Sequence, residues 1–451
     1  MSHHVPDSIQ LRHCLKWAVF VSISLLLIST FRAPEGMDGL QSLIGKAKIL
    51  IRFAVLGVLG FLLLTLMLRD RLMSPVVWHF PFLGFAAWGM ISVLWSARPD
   101  ESFGQVISLL TLILLSLAVS IHLKSEQDVS NLICFITLNL MGLCLFLLVT
   151  GTLIPSTHHM TRNGLGVGHS TNSGATASLG LVFIVGCWAF WSWRWVRTLL
   201  VPACLLFAAV SIYSANRLSM AITALLVPAL WLRYGSRRSI GIGLMAVAAV
   251  GMAYLVIDPK LSGIQDMALA AKEEPWAEDV GTFSGRLQMW EAMWNSFLTS
   301  PWIGHGYFVS SATGELEVWF YEGELPSVNW TAHNIWLQAL VSTGLVGLAL
   351  VVFAVFAPII THYLRTLFAG KWHPLDRWAF VMLGWYLLWG LLNESFLGPV
   401  QPESVIFFFV YGALIARING YLPFADGVSS PQVTAAQRPT GFPRAGEVPV
   451  I

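Results

Sequence analysis

Charged residues are scarce in this chain. Asp, Glu, Lys and Arg make up 11% of its 451 residues, whereas soluble domains average about 25%. Hydrophobic residues make up 56%, which excludes a soluble globular protein and a disordered chain. Basic and acidic residues nearly balance, at 26 and 24, so the net charge indicates no nucleic-acid partner. The class that remains is an all-α polytopic membrane protein.

Cysteine is also sparse, and its spacing excludes a disulfide-stapled secreted domain. The five residues are Cys14, Cys134, Cys144, Cys187 and Cys204. All lie in or beside apolar runs, and no two are spaced as CxxC. We interpret them as small hydrophobic residues of helices rather than as disulfides or metal ligands.

Twelve apolar stretches approach the length of about 17–25 residues that a membrane helix needs. They run over 15–31, 48–68, 76–95, 105–123, 130–152, 174–192, 197–214, 217–232, 239–257, 334–361, 377–397 and 403–417. The pattern predicts about 12 transmembrane helices, nine within residues 1–257 and three within 334–419. The first is interpreted as an uncleaved span, because no small-residue cleavage site follows it. The tail, residues 420–451, is rich in Pro, Gly and Ser and is predicted to be disordered.

The basic residues predict the orientation of these spans. With the N-terminus in the cytoplasm, sixteen of the 26 Lys and Arg residues lie on the cytoplasmic side, as the positive-inside rule requires. The long segment 258–333 then becomes an external loop, periplasmic in a cell with two membranes. It is predicted to contain short interfacial helices.

Arg217 lies in the sequence Ser-Ala-Asn-Arg217 between the seventh and eighth predicted spans, near the outer surface. An arginine at this depth is costly unless it meets water or an anion. Two interpretations fit: a snorkelling arginine at the top of a hairpin, and an anion ligand that faces a cavity.

Arg286 lies in Ser-Gly-Arg286-Leu-Gln-Met-Trp, ahead of apolar residues at helical spacing. These apolar residues are Leu287, Trp290, Trp294, Phe297 and Leu298. They predict an amphipathic helix that lies flat on the outer membrane surface, with Ser284 as its N-cap. A guanidinium in the first turn of a helix can bind phosphate together with free N–H groups. The alternative is an arginine that simply faces solvent.

His333 lies in Thr-Ala-His333-Asn-Ile-Trp-Leu, where the chain re-enters the membrane as the tenth predicted span. Thr331 is the predicted cap of that helix. An imidazole at this point can act as a general base, and the alternative is an interfacial histidine that only satisfies the helix end. Glu394, near the outer end of the eleventh span, is the main acidic residue at membrane depth. The near absence of such residues counts against an ion-coupled carrier.

Other polar features give weaker signals. Three histidines, His158, His159 and His169, share another external loop, but their spacing matches no metal site. The segment Gly304-His305-Gly306-Tyr307 is predicted to form a glycine-rich turn rather than a nucleotide loop, because it lacks the strand and helix of such sites. No metal and no cofactor is therefore predicted.

Together, these motifs resemble the O-antigen ligase and polymerase superfamily, which comprises WaaL-type and Wzy-type proteins. The motifs are Ser-Ala-Asn-Arg217, Ser-Gly-Arg286-Leu-Gln-Met-Trp with Ser300-Pro-Trp-Ile-Gly-His-Gly-Tyr307, Ala-His333-Asn-Ile-Trp-Leu with Gly344-Leu-Val-Gly347, and Trp95-Ser96-Ala97-Arg98-Pro99. Twelve spans with a long outer loop between the ninth and tenth also match that family's topology.

The resemblance implies a metal-independent, inverting glycosyltransferase in the cell inner membrane, with its site facing the periplasm. Such an enzyme moves a glycan en bloc from undecaprenyl diphosphate to an acceptor hydroxyl. The resemblance implies that Arg217 and Arg286 bind the diphosphate and that His333 takes the acceptor's proton. Glu394 is a weaker candidate, for orienting His333 or an arginine.

Three activities follow from this resemblance. The favoured one is an O-antigen ligase that attaches polysaccharide to lipid A-core. The first alternative is a Wzy-type polymerase of O-antigen or exopolysaccharide, which uses a lipid-linked glycan as acceptor. An alternative from another class is a flippase for lipid-linked oligosaccharides. A flippase would need basic residues along several spans, whereas here the arginines of interest gather at one face.

Overall fold

The computed structural model describes residues 8–30, 38–70, 74–153, 170–187, 194–214, 216–234, 286–308, 332–369, 373–393 and 395–420. Every regular element within these ranges is helical, as predicted. The helices are α1 Ser8–Ile28, α2 Asp38–Asp70, α3 Ser74–Ser92, α4 Pro99–His122, α5 Glu126–Leu153, α6 Ser170–Cys187, α7 Arg194–Tyr213, α8 Arg217–Tyr234, α9 Arg286–Thr299, α10 Ile335–Ala369, α11 Pro374–Gly390 and α12 Pro402–Ile418. A single 3-10 turn, Ser395–Leu397, lies between α11 and α12.

Five of the described helices are long and apolar enough to cross a membrane. The corresponding segments are Gln10–Ile28, Ser42–Asp70, Pro99–His122, Glu126–Thr150 and Ile335–Phe368. Shorter apolar helices occupy Asn172–Val185, Val201–Ser211 and Leu218–Pro228. The chain is therefore a multi-pass helical membrane protein. The ninth predicted span, most of the long loop and residues 421–451 lie outside the described residues, so the count of twelve spans stays a prediction.

Helices α4 and α12 form the centre of the bundle. Every residue of α12 is buried, and α4 is buried along most of its length. A helix that is apolar on all sides is expected in such a position. The two helices approach closely at Gly412, where an added Cβ would lie 2.5 Å from the Ser116 carbonyl oxygen. Small residues at helix crossings permit this backbone approach in membrane proteins.

A buried charge cluster joins α10, α11 and α12 at one end of the bundle. Arg417 donates Nε to Asp376 Oδ1 at 2.9 Å and Nη2 to Oδ2 at 3.0 Å, a bidentate ion pair. His362 Nε2 lies 2.9 Å from Asp376 Oδ1. None of the three side chains is more than 2% exposed. The end of α11 and the start of α12 consequently lie at the opposite end.

Helix α10 is broken at Gly344, whose φ is 66° and ψ is −169°. The rings of Trp336 and Phe356 stack with centroids 5.8 Å apart, although twenty residues of straight helix would separate them by about 30 Å. Helix α10 is thus a first arm, 335–343, folded back toward a second arm, 345–369. The prediction of a single span over 334–361 missed this break.

Candidate active site around His333

The break in α10 is filled by the segment that follows α9. Its backbone pairs with the chain on either side of Gly344: His305 N donates to Val341 O at 3.1 Å, and Leu345 N donates to Pro301 O at 2.8 Å. The Trp88 indole donates to the Thr343 carbonyl at 2.9 Å. Backbone groups that the break releases from the helix are therefore satisfied, as buried polar groups require.

Two glycines make this docking possible. Gly304 and Gly344 both have positive φ, 67° and 66°. Residues that carry a side chain rarely adopt this backbone conformation. A Cβ on Gly304 would lie 2.5 Å from the Ser342 carbonyl oxygen, and one on Gly344 would overlap the Trp302 carbonyl group. The glycine motifs at 300–307 and 344–347 are thus two halves of one contact. The predicted glycine-rich turn is confirmed.

Tyr307 anchors the same segment to the rest of the bundle. Its N–H donates to Ser92 Oγ, its carbonyl accepts from Ser102 Oγ, and its hydroxyl donates to the Leu397 carbonyl, each at 2.9 Å. Ser102 Oγ also lies 2.7 Å from Ser96 Oγ, within the motif at 95–99. The motif at 95–99 therefore supports the docked segment rather than taking part in the chemistry.

His333 stands two residues before the first arm of α10. Its φ is 44°, in the left-handed region that non-glycine residues occupy only when surrounding contacts impose it. The preceding residue is held on both sides: Trp290 Nε1 donates to the Ala332 carbonyl at 2.8 Å, and Ala332 N donates to Gln338 Oε1 at 2.8 Å. Strained backbone of this kind clusters at functional sites.

Asn334 is the N-cap of α10, so the prediction of Thr331 as the cap is wrong. The Asn334 Oδ1 atom accepts hydrogen bonds from two backbone N–H groups of the first turn, each at 3.0 Å. Its Nδ2 donates to the Leu391 carbonyl at 3.1 Å. The cap therefore also ties the start of α10, next to His333, to the C-terminal end of α11.

Helix α9 brings the backbone of Arg286 close to His333. The helix begins at Arg286, whose side chain lies outside the described part of the structure, as does the predicted cap Ser284. Trp290, one turn later, bonds the carbonyl of Ala332. The N-terminus of α9 therefore begins one helical turn before the tryptophan that bonds the peptide before His333, and N–H groups at such a terminus favour anions.

Both faces of α9 carry apolar side chains, and the exposed face also carries Glu291 and Asn295. One face packs against the first arm of α10 through Met289, Met293 and Phe297. The other leaves Leu287, Trp294 and Leu298 more than 40% exposed. The apolar residues that predicted the amphipathic helix therefore lie largely on its exposed face. This agrees with a helix that lies against lipid.

The backbone of Arg217 begins α8, while its side chain lies outside the described part. Asn216 caps this helix, because its Oδ1 accepts from Ser219 N at 2.9 Å. Helix α6 packs against the cap so closely that a Cβ on Gly174 would lie 2.5 Å from Asn216 Cβ. The turn before Arg217 is thus fixed by its neighbours.

Helix α6 connects the start of α8 to α11. Ser178 Oγ donates to the Ser219 carbonyl at 3.0 Å and lies 3.0 Å from Trp385 Nε1, which donates to it. Trp385 lies in the C-terminal half of α11, whose end bonds the cap of α10. The helix that begins at Arg217 and the helix that follows His333 therefore start at the same end of the bundle.

The remaining candidate residues from the sequence are not described by the structure, and one acidic residue was missed. Glu394 and the three loop histidines, His158, His159 and His169, lie outside the described residues. Within the described ranges, no group of three or more His, Cys, Asp or Glu is arranged to hold a metal ion. Sequence reasoning missed Glu403, which is 3% exposed in the first turn of α12. The signal was present, since a carboxylate in a predicted membrane span is unusual.

A cleft of about 500 Å³ lies between α9 and α10 and reaches Asn334, the residue after His333. Its lining is mostly apolar and aromatic, with two polar residues. The lining residues are Trp290, Glu291, Trp294, Asn334, Trp336, Leu337, Leu340 and Leu348.

Comparisons with known proteins agree with the resemblance found in the sequence. Residues 202–352 match the family model described as O-Antigen ligase, a stretch that contains Arg217, Arg286 and His333. The exopolysaccharide production protein ExoQ of Rhizobium meliloti (strain 1021) is 27% identical over 368 residues, covering 76% of this chain and 72% of the relative. These two matches confirm the predicted resemblance and support membership in the O-antigen ligase superfamily. They support a membrane enzyme of the ligase or polymerase type.

Proposed function

We propose that this chain is a membrane glycosyltransferase that moves a glycan en bloc from undecaprenyl diphosphate to an acceptor hydroxyl. It acts in the cell inner membrane with its site open to the periplasm. The observation that carries the proposal is the hydrogen bond between Trp290 and the carbonyl of Ala332. This bond supports a shared site, because it joins the helix that begins at Arg286 to the residue before His333.

In the proposed reaction, His333 accepts the proton of the acceptor hydroxyl as the oxygen attacks the anomeric carbon. Attack comes from the side opposite the diphosphate, so the new glycosidic bond has inverted configuration. The bond between the anomeric carbon and the diphosphate oxygen breaks, and its electron pair leaves with undecaprenyl diphosphate. Arg217 and Arg286 stabilise the negative charge that develops there. Glu394 is a proposed supporting residue.

Positioning and charge stabilisation are the two effects that this reaction requires. The diphosphate is a good leaving group. A base at the acceptor oxygen and cationic ligands at the departing diphosphate therefore suffice. The fixed backbone around His333 supports the first effect, because it limits the positions that the imidazole can reach.

We propose that the acceptor is lipid A-core, which makes the enzyme an O-antigen ligase. The description of the matched family supports this choice. The printed name of the relative, an exopolysaccharide production protein, favours a second candidate: a polymerase that transfers to another lipid-linked glycan.

Three substitutions test the site. His333→Ala, Arg286→Ala and Arg217→Ala should each abolish transfer while the amount of membrane-inserted protein is unchanged. His13→Ala and Arg69→Ala are matched controls, because both residues are exposed at positions remote from the site, and both should retain activity. Full activity in two of the three site variants would refute the assigned site.

Deletion of the gene followed by glycolipid analysis separates the candidate functions. Loss of a ligase should leave long polymer on undecaprenyl diphosphate, whereas loss of a polymerase should leave single repeats on the acceptor. Unchanged glycans with altered sidedness of the lipid-linked sugar would indicate a flippase and overturn the proposal.

A further inference from the structure

The cleft between α9 and α10 has no role in the proposed reaction, although it lies beside the candidate site. Its polar members lie at the end near His333: Asn334 follows that residue, and Glu291 follows Trp290, which bonds the neighbouring peptide. Its other members are tryptophans and leucines. Leu340 and Leu348 lie on the two sides of the break in α10. The cleft thus runs from a polar end beside the site to a purely hydrocarbon end.

The cleft opens onto an apolar surface. Trp294, in its wall, is 49% exposed, and Leu298 on the next turn of α9 is 57% exposed. Leu345 and Val346, at the start of the second arm of α10, are about 40% exposed. Contiguous exposed apolar side chains in a membrane protein are expected to face lipid. A hydrocarbon chain can therefore enter the cleft directly from the bilayer.

The polar lining is too sparse to recognise a sugar. Saccharide hydroxyls that are buried need hydrogen-bond partners, and apart from indole N–H groups the cleft offers only Glu291 and Asn334. The Asn334 carboxamide is already engaged, because its oxygen caps α10 and its nitrogen donates to Leu391. The lining instead matches a branched, unsaturated hydrocarbon, which packs well against indole rings and leucine side chains.

We propose that the cleft binds the first isoprene units of the polyprenyl chain of the donor. The inference rests on the proposed function, in which the donor's sugar lies at His333 and its diphosphate at the N-terminus of α9. The cleft begins one turn further along that helix, at Trp290, which is where the chain attached to the diphosphate must leave the site. The chain then follows Trp294 and the leucines of α10 into the bilayer.

The test measures transfer kinetics of the full-length protein in detergent with two synthetic donors. The donors carry the same glycan diphosphate on either an undecaprenyl or a short geranyl chain. Trp294→Ala should raise KM for the undecaprenyl donor about tenfold, the scale expected for loss of one aromatic contact, with kcat unchanged. KM for the geranyl donor should change less than about twofold, since the short chain contacts less of the cleft. Trp294→Phe should restore most of the affinity.

Two matched variants complete the experiment. Trp302→Ala removes another exposed tryptophan of the same surface, 66% exposed but outside the cleft, and should behave like wild type. Leu205→Ala, at a side chain of α7 that is 67% exposed and outside the cleft, should leave both donors unchanged. Equal loss with both donors, no loss with either, or a rise in KM for the acceptor alone would overturn the proposal. A rise in acceptor KM would assign the cleft to the acceptor.

A binding measurement keeps this inference separate from the proposed function. Undecaprenyl diphosphate without a glycan, carrying a photoreactive group on its first isoprene unit, should label peptides from α9 and the first arm of α10. Trp294→Ala should reduce that labelling, and excess unlabelled undecaprenyl diphosphate should compete with it. Labelling confined to other helices would refute the cleft assignment. Absence of transfer with retained labelling would refute only the proposed function.

Discussion

Replacing Gly344 with alanine should open the break in α10 and disable the site. With φ at 66° and ψ at −169°, Gly344 occupies a region that is essentially restricted to glycine, and a side chain there costs about 1–3 kcal/mol. The new Cβ would also overlap the Trp302 carbonyl group. Relief of this overlap would cost the hydrogen bonds from Leu345 to Pro301 and from Val346 to Trp302, each about 1 kcal/mol. The total loss is about 3–5 kcal/mol.

The assay is a thermal melt of the purified protein in detergent at a fixed scan rate, together with transfer activity. Gly344→Ala should lower Tm by several degrees and reduce transfer, because the docked segment also holds the arm that follows His333. Gly142→Ala is the control: it lies in α5 with no atom within 4 Å of an added Cβ, so it should be neutral or slightly stabilising. A Tm for Gly344→Ala equal to that of Gly142→Ala would refute the account of the break.

Other predictions follow from the same contacts. Asp376→Asn should lower the free energy of unfolding by about 3–5 kcal/mol, because it leaves Arg417 buried without its ion pair. Asp70→Asn, which breaks a partly exposed pair, should lower it by less than about 1 kcal/mol. Equal changes in the Tm of the two variants would contradict this difference. Asn334→Ala should lower stability by about 1 kcal/mol through loss of the cap and should reduce kcat more than it changes KM, which kinetics of the purified variant would check. EDTA should leave transfer unchanged, whereas a loss that zinc restores would indicate a metal site at the loop histidines.

Local patterns were sufficient to predict that the chain is helical, and they also gave the candidate site residues, which stay a prediction. The length of an apolar run and the basic residues beside it are properties of neighbouring residues, so they can be taken from one sequence. The first turn of α9 and the end of the loop at His333 were found in this way. The break at Gly344 was missed because it depends on a docked segment about forty residues earlier in the chain. A glycine within an apolar run is ambiguous until that partner is known.

Polar pairs between residues far apart in the chain also could not be predicted from the sequence. Asp376 and Arg417 are separated by 41 residues, and each stands beside a predicted span end, where a charged residue usually faces water. The sequence therefore suggests two solvated residues, whereas the structure buries them as an ion pair. The cap at Asn334 was misplaced for a related reason: Thr331 and Asn334 are both good cap residues, and only the packing against Leu391 selects between them.

The first arm of α10 is held at both ends by one continuous segment, and this has a consequence for the proposed chemistry. Near its start, Trp290 of α9 bonds the carbonyl of Ala332; at its end, the residues after α9 dock against the break at Gly344. The helix that begins at Arg286 and the arm that follows His333 must therefore move together. A diphosphate bound at the start of α9 would stabilise the arrangement that orients the imidazole, because a ligand favours the conformation to which it binds best. Base and leaving-group ligand would thus be aligned by a single packing contact, rather than by two independent loops.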